Sequence, residues 1–224
     1  MIDPKITLIH ATQLAMKPIT TAFESLWPKA QLMNLLDDRL GPDLAQAGSL
    51  NSAMVARMVS LAQYAKANGA QGILFTCSAF GAAIDEAKRV VGLPTLKPNE
   101  AMFDEALDLC ERSTHTCRIG LLTTFAPAKK SMFEELLAAK EQRGMSVQIV
   151  SACAQGAMEA LNAGDANTHD QMIIQSAKTL PPCDVLLLGQ FSMARSQHLV
   201  ADAMKLPVLS SPDSAVRRLK AELD

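Results

Sequence analysis

Cys77 lies in the run Phe75-Thr76-Cys77-Ser78-Ala79-Phe80-Gly81, where an apolar stretch ends and a helix-forming one begins. A thiol at the start of a helix meets free backbone N–H groups and the positive end of the dipole, and both favour the thiolate. That is the chemistry of a base or a nucleophile, and Cys77 is expected to carry a lowered pKa. Free thiols more often only fill space. The strand-end position and the flanking Thr76 and Ser78 set this one apart. The hydroxyl of Ser78 and the N–H of Ala79 form a donor set beside the sulfur, suited to a substrate oxygen. His10 closes an earlier apolar run, in His10-Ala11-Thr12. An imidazole titrates near neutrality, so His10 is expected either to pair with Cys77 or to serve as a second base. Thr12, two residues on, is expected to touch substrate. Thr123 and Thr124 close a further apolar run. They are read as substrate contacts against the alternative of ordinary turn residues.

The elements that must position these residues repeat themselves. Shifting the chain by 113 residues overlays Ile73–Ser78 on Leu186–Phe191 (190 − 77 = 113) and Leu93-Pro94-Thr95-Leu96 on Leu206-Pro207-Val208-Leu209. The opening run Ile6-Thr7-Leu8-Ile9 falls on Ile119-Gly120-Leu121-Leu122 at the same offset. Agreement at a fixed period fixes the architecture as a duplication. In the second half Gln190 stands where Cys77 stands in the first, within Gly189-Gln190-Phe191-Ser192-Met193. An amide donates and accepts hydrogen bonds, yet it neither takes nor gives a proton at neutral pH. Gln190, Phe191 and Ser192 are therefore expected to contact substrate, with Gln190 or Ser192 stabilising an enolate-like oxygen.

Short, continuously apolar runs at 6–10, 32–36, 72–75, 119–122, 147–150 and 185–188 read as strands buried on both faces, the mark of parallel sheets. The two Leu-Pro runs read as a last short strand in each half. Helical stretches at 18–26, 52–67, 79–91, 100–111, 129–143 and 169–180 alternate with them, which predicts βαβ units. The expectation is an α/β chain of two pseudo-twofold-related doubly wound lobes, each with a mainly parallel four-stranded sheet flanked by helices. Residues 1–97 plus 210–224 would form the first lobe and 98–209 the second, with a terminal helix at 214–223 returning to the first. Ligands of open α/β sheets bind beyond the carboxyl ends of the strands. If the lobes face each other, all four loops named above line one interlobe cleft. Glu100 and Asp213 open helices at duplicated positions and are read as capping groups.

A chain of 224 residues with a formal charge of −2 has room for a core and shows no basic stripe, so nucleic acid is excluded as a partner. No apolar run reaches membrane-spanning length, and the opening Met1-Ile2-Asp3-Pro4-Lys5 lacks the regions of a signal peptide. A cytoplasmic chain is expected. Five cysteines without a C-x-x-C pair predict neither a disulfide nor a zinc site, and Cys110, Cys117, Cys153 and Cys183 are read as packing. His115, His169 and His198 are assigned to surface helices or turns, and Lys17 to a solvated charge. No Gly-x-Gly-x-x-Gly or Walker loop follows a strand, so no nucleotide cofactor is indicated.

The segment Phe75–Gly81, the duplicated halves and the Leu-Pro strand after each loop together resemble the aspartate/glutamate/hydantoin racemase superfamily, whose relatives include maleate isomerases and arylmalonate decarboxylase. The resemblance spans the whole chain and implies a cofactor-independent enzyme acting on a small carboxylate or carbonyl compound. It also implies a homodimer and an active site between two lobes. The superfamily's racemases use two opposed cysteines. Here Gln190 replaces the second, and Phe125 stands where related decarboxylases carry a tyrosine. The expectation is a racemase or isomerase using Cys77 as its single thiol, with His10 as the candidate second base. A decarboxylase of a malonate-like acid and a non-catalytic binding homologue are the alternatives.

Overall fold

A computed structural model describes residues 3–124 and 126–224. Strands β1 (Lys5–His10), β2 (Gln31–Leu36), β3 (Gly72–Phe75) and β4 (Thr95–Leu96) form one sheet in the order β2-β1-β3-β4. Strands β5 (Arg118–Thr123), β6 (Gln148–Cys153), β7 (Val185–Leu188) and β8 (Val208–Ser210) form the other, in the order β6-β5-β7-β8. Every pairing is parallel, and the same order recurs in both sheets. The chain is α/β, with two four-stranded parallel sheets flanked by helices.

Between the strands run α1 (Met16–Leu26), α2 (Leu40–Ala47), α3 (Ser52–Ala67), α4 (Gly81–Val91), α5 (Glu100–Glu111), α6 (Ala126–Gln142), α7 (Ala157–Asn162), α8 (Ala166–Lys178), α9 (Gln197–Met204) and α10 (Ser211–Leu223). The chain divides into two compact units. One runs to Ala101 and resumes over Ala215–Asp224, and the other is Met102–Ser214.

The second sheet shows why its strands are apolar throughout. Ile119, Leu121, Val185 and Leu187 pack on one face with Met102, Phe103, Ala106 and Leu136, from α5 and α6. Leu122, Leu186 and Leu188 face the other way, against Ile173, Ala177 and Val200 of α8 and α9. A side-chain period of two with helices on both faces needs apolar residues at every position. In the first unit, Ile9, Ile73 and Phe75 pack with Met58 and Ala62 of α3 and with Ile84 and Ala87 of α4. On the opposite face Gly72 lies against Leu219 and Leu223 of α10, where an added Cβ would stand 3.1 Å from Leu223 Cδ1 and 3.3 Å from Leu219 Cδ2.

Several expectations need correction. Helices α2, α7 and α9 were not read from the sequence. Gly41 and Pro42 hide α2, although proline is tolerated in a first helical turn, where its missing N–H has no partner in any case. Helix α7 has only six residues, too few for a periodic signal. Cys110 and Cys117, taken as packing, form a disulfide. The short connection between α5 and β5 brings their Cα atoms to 5.4 Å, well inside bonding range. His169, assigned to the surface, is fully buried. His198 is exposed as expected, as is Lys17. Glu100 accepts the backbone N–H of Lys97 at 3.0 Å, a capping contact, and also binds Lys88 Nζ at 2.7 Å.

Candidate active site

At the carboxyl edge of the first sheet, Cys77 follows β3 in extended backbone (φ −126°, ψ 118°), and a 3-10 turn over Ser78–Phe80 separates it from α4. The thiol is therefore not on the first turn of an α-helix. Burial pushes its pKa above the ordinary thiol value, and the backbone N–H of Ala79 opposes that shift without reversing it. The expected lowered pKa is thus overturned: desolvation outweighs the single amide. Ser78 is half-buried and Ala79 exposed beside the sulfur.

His10 ends β1 with no exposed surface. Its Nδ1 lies 2.9 Å from Thr76 Oγ1 and its Nε2 2.9 Å from Asn34 Oδ1. The amide oxygen of Asn34 can only accept, so Nε2 carries the hydrogen and Nδ1 accepts from the Thr76 hydroxyl. Burial lowers the His10 pKa, with the Asn34 bond working against it. Both ring nitrogens are engaged by neutral partners, so the expected Cys77–His10 pair is not formed. A strand-end histidine adjacent in space to a cysteine loop carries the same sequence signal whether it faces the thiol or its neighbour. Thr12, expected at the substrate, is exposed and accepts from Leu14 N–H at 3.4 Å as the cap of a 3-10 turn.

The carboxyl edge of the second sheet is built differently. Gly189 follows β7, where an added Cβ would stand 2.6 Å from Met132 Cε, 2.8 Å from Met132 Sδ and 3.2 Å from the carbonyl oxygen of Leu122. Only glycine fits. Gln190 comes next, and its Oε1 accepts from the N–H of Thr124 at 2.7 Å and from the Thr124 hydroxyl at 3.1 Å. These two bonds fix the amide's orientation and turn its NH₂ away from Thr124. Gln190 Nε2, Thr123 Oγ1, Ser192 Oγ and Ser210 Oγ are all buried without a hydrogen-bond partner. Unpaired buried polar atoms are costly, and these four come from the ends of β5, β7 and β8 in one sheet. Each can donate to an oxygen.

Phe191, Ser192 and Met193 lie buried in a 3-10 segment over Phe191–Ser196. This segment is held to α8 by Asp170, which accepts from Ser196 Oγ at 2.6 Å and from Arg195 Nε and Nη2, both at 3.1 Å. His169 Nδ1 lies 2.9 Å from the same carboxylate. Burial alone would raise the Asp170 pKa; the bonds from Ser196, Arg195 and His169 outweigh it and lower it. Thr124 and Gln190 are thus bonded to each other, with Ser192 two residues on, while Phe125 lies outside the described residues. Sequence reasoning missed Ser210 and Asp170. Ser210 had a signal, standing at the end of a duplicated Leu-Pro strand, but Asp170 had none because its partners are 25 and 26 residues away. Cys153, read as packing, is half-buried at the end of β6, level with Thr123. Among the described residues no group of His, Cys, Asp and Glu is placed to hold a metal ion, and no helix is long and apolar enough to cross a membrane.

Known proteins share this architecture. A glutamate racemase of Bacillus anthracis superposes at a TM-score of 0.70 and 14% identity, covering 100% of this chain and 82% of its own. An allantoin racemase of Klebsiella pneumoniae gives 0.69 and 14%, covering 98% and 87%. An arylmalonate decarboxylase gives 0.65 and 18%, covering 96% and 92%. At these identities the likeness is one of fold. No curated protein sequence matches the chain. The profile of the Asp/Glu/hydantoin racemases matches residues 6–219, from the first strand to the last helix. That extent takes in both sheets and both site loops, and it places the chain in the Asp/Glu/hydantoin racemase family as an isomerase-type enzyme.

Proposed function

We propose that the chain moves a proton at a carbon next to a carbonyl or carboxylate of a small molecule, without a cofactor, and that Cys77 carries that proton. The observation behind this reading is the place of Cys77 at the end of β3, in a chain whose family match spans both site loops. The thiolate takes the α-hydrogen, the electron pair passes into a planar enolate, and the thiol returns the hydrogen to the opposite face once the enolate has turned over, which inverts the carbon. The donors beside the sulfur, the Ser78 hydroxyl and the Ala79 N–H, hold the substrate's oxygen, where charge develops in the transition state. Because burial raises the thiol pKa, the thiolate fraction, and with it α-proton abstraction, should grow with pH beyond the range of an ordinary thiol.

A second reading rests on Gln190. Its amide is fixed by Thr124 as a donor, so no second thiol acts from the equivalent loop. A malonate-like acid would suit this arrangement. Its carboxylate leaves as CO₂, the electron pair of the broken C–C bond passes into the enolate, and the protonated Cys77 delivers its hydrogen to one face. Here the raised pKa is an advantage, because the thiol is protonated at neutral pH.

Deuterium exchange in D₂O over glutamate, allantoin, hydantoins and 2-aryl malonates tests both readings. Exchange at the α-carbon that disappears in Cys77→Ala establishes proton abstraction. Loss of CO₂ giving a single enantiomer, and absent in Cys77→Ala, establishes the decarboxylase. Binding of these compounds with neither exchange nor CO₂ release would identify a non-catalytic homologue and end both proposals.

A further inference from the structure

Among the described residues, His10 is the one titratable side chain of the first sheet's carboxyl edge that is fully buried, and its contacts explain why it is there. It joins three strands. The ring belongs to β1, Asn34 to β2, and Thr76 follows β3 directly before Cys77. Thr76 is tied to β1 a second time through its backbone, its N–H donating to the carbonyl of Ile9 at 3.0 Å. Residue 76 thus has both backbone and side chain fastened to β1, and the next residue is the thiol. We propose that His10 is a positioning residue: through Thr76 it sets the backbone that carries Cys77, and it exchanges no proton with the thiol.

The hydrogen-bond inventory supports this. With Nε2–H given to Asn34 and Nδ1 accepting from Thr76, neither nitrogen has a lone pair or hydrogen left for sulfur. Protonating Nδ1 would reverse the Thr76 bond and turn the hydroxyl hydrogen toward Ile9 O, 3.4 Å away. That is a poorer acceptor geometry than the 2.9 Å contact it replaces. The ring has no exposed surface, so a charge on it would be desolvated. The arrangement needs a neutral imidazole, and burial lowers the pKa accordingly.

The inference builds on the proposed role of Cys77 but is tested separately, on the full-length protein with iodoacetamide as the probe. Alkylation of the Cys77 peptide is followed by mass spectrometry from pH 5 to 10, which separates it from Cys153 and Cys183. In the unaltered protein the rate should rise in one step above the ordinary thiol range, with no inflection between pH 6 and 7. His10→Gln keeps a neutral donor toward Asn34 and should leave the midpoint unchanged. Thr76→Val removes the hydroxyl and should speed alkylation roughly fivefold at every pH, the effect of losing one buried hydrogen bond. Thr76→Ser should restore the original rate. An inflection near pH 6–7 that vanishes in His10→Gln would make the ring a proton partner and overturn the inference. So would an unchanged rate in Thr76→Val. If His10→Gln does not fold, Thr76→Val and Thr76→Ser carry the test. Substrate exchange that persists in Cys77→Ala would end the thiol reading and leave the alkylation result standing.

Discussion

The two sheet edges are built on one plan and finished in opposite ways. At the first, His10, Asn34 and Thr76 satisfy one another across three strands. At the second, the offset of 113 puts Thr123 where His10 stands and Gly189 where Thr76 stands (123 − 10 and 189 − 76). Glycine offers no hydroxyl, and Thr123 Oγ1 is left without a partner, as are Gln190 Nε2, Ser192 Oγ and Ser210 Oγ. One edge is saturated and holds a thiol; the other is unsaturated and holds donors. A saturated network fixes geometry, whereas buried unpaired donors are tolerated where a ligand completes them. The duplication thus supplied two equivalent frames, and substitution saturated one and left unpaired donors on the other.

The largest way to break this contrast is to loosen the donor edge from behind. Asp170→Ala removes the acceptor shared by Ser196, Arg195 and His169. The ion pair with Arg195 is part-exposed and counts for little. The buried Ser196 and His169 donors are left unpaired, and a loss of about 2–3 kcal/mol is expected. Urea denaturation should show it, with Asp170→Asn keeping part of the stability. A midpoint unchanged in Asp170→Ala would mean the 3-10 segment does not depend on α8.

Making the second edge resemble the first should cost nearly as much. Gly189→Ala places a Cβ against Met132 and the backbone oxygen of Leu122. Met132 can bend, but the carbonyl cannot. About 1–3 kcal/mol of destabilisation is expected from overpacking, together with a displaced Gln190. The reverse change, Thr76→Gly, removes a clamp rather than adding a clash and should shift the urea midpoint less than Gly189→Ala does.

Most of the frame was legible in the sequence, and the reason is specific. Seven of the eight strands fall within two residues of the apolar runs in the sequence, because strands covered on both faces are apolar throughout, while β6 continues three residues past its run, which Ser151 interrupts. The site loops followed from the 113-residue offset. What stayed hidden was partner choice. His10 lies at a strand end in either role, and it is the folded arrangement of three strands that turns its ring to Thr76 and Asn34 instead of the sulfur. The state of Cys77 was misread for a related reason: helix onset is visible in sequence, while the 3-10 turn that precedes it and the burial around the sulfur are not. The Cys110–Cys117 bond depended on how tightly α5 turns into β5, which spacing alone does not fix.

A smaller effect sharpens the binding side. Thr124→Val keeps the backbone N–H that donates to Gln190 Oε1 but removes the hydroxyl at 3.1 Å. The amide loses one of its two anchors, about 1 kcal/mol. With whichever substrate the exchange panel identifies, KM should rise roughly fivefold while kcat stays within about twofold. A fall in kcat with KM unchanged would move Thr124 from substrate binding to transition-state stabilisation.

The smallest effect separates the edges by pH. The folded-state pKa of His10 is lowered from 6.5 by burial, so between that lowered value and 6.5 the unfolded chain binds more protons than the folded one. Stability therefore rises with pH across this window and is lost as pH falls below about 6.5. The lowered carboxylates Asp170 and Asp184 also favour the folded state above their unfolded pKa, but that value lies near 4, and their loss begins at more acid pH. Urea midpoints at pH 7 and pH 5 should therefore fall more steeply for the unaltered protein than for His10→Gln, whose side chain does not titrate. Equal slopes would mean that the imidazole is protonated within the fold without cost, and the saturated edge would then tolerate a charge against the two neutral partners of the ring, Thr76 and Asn34.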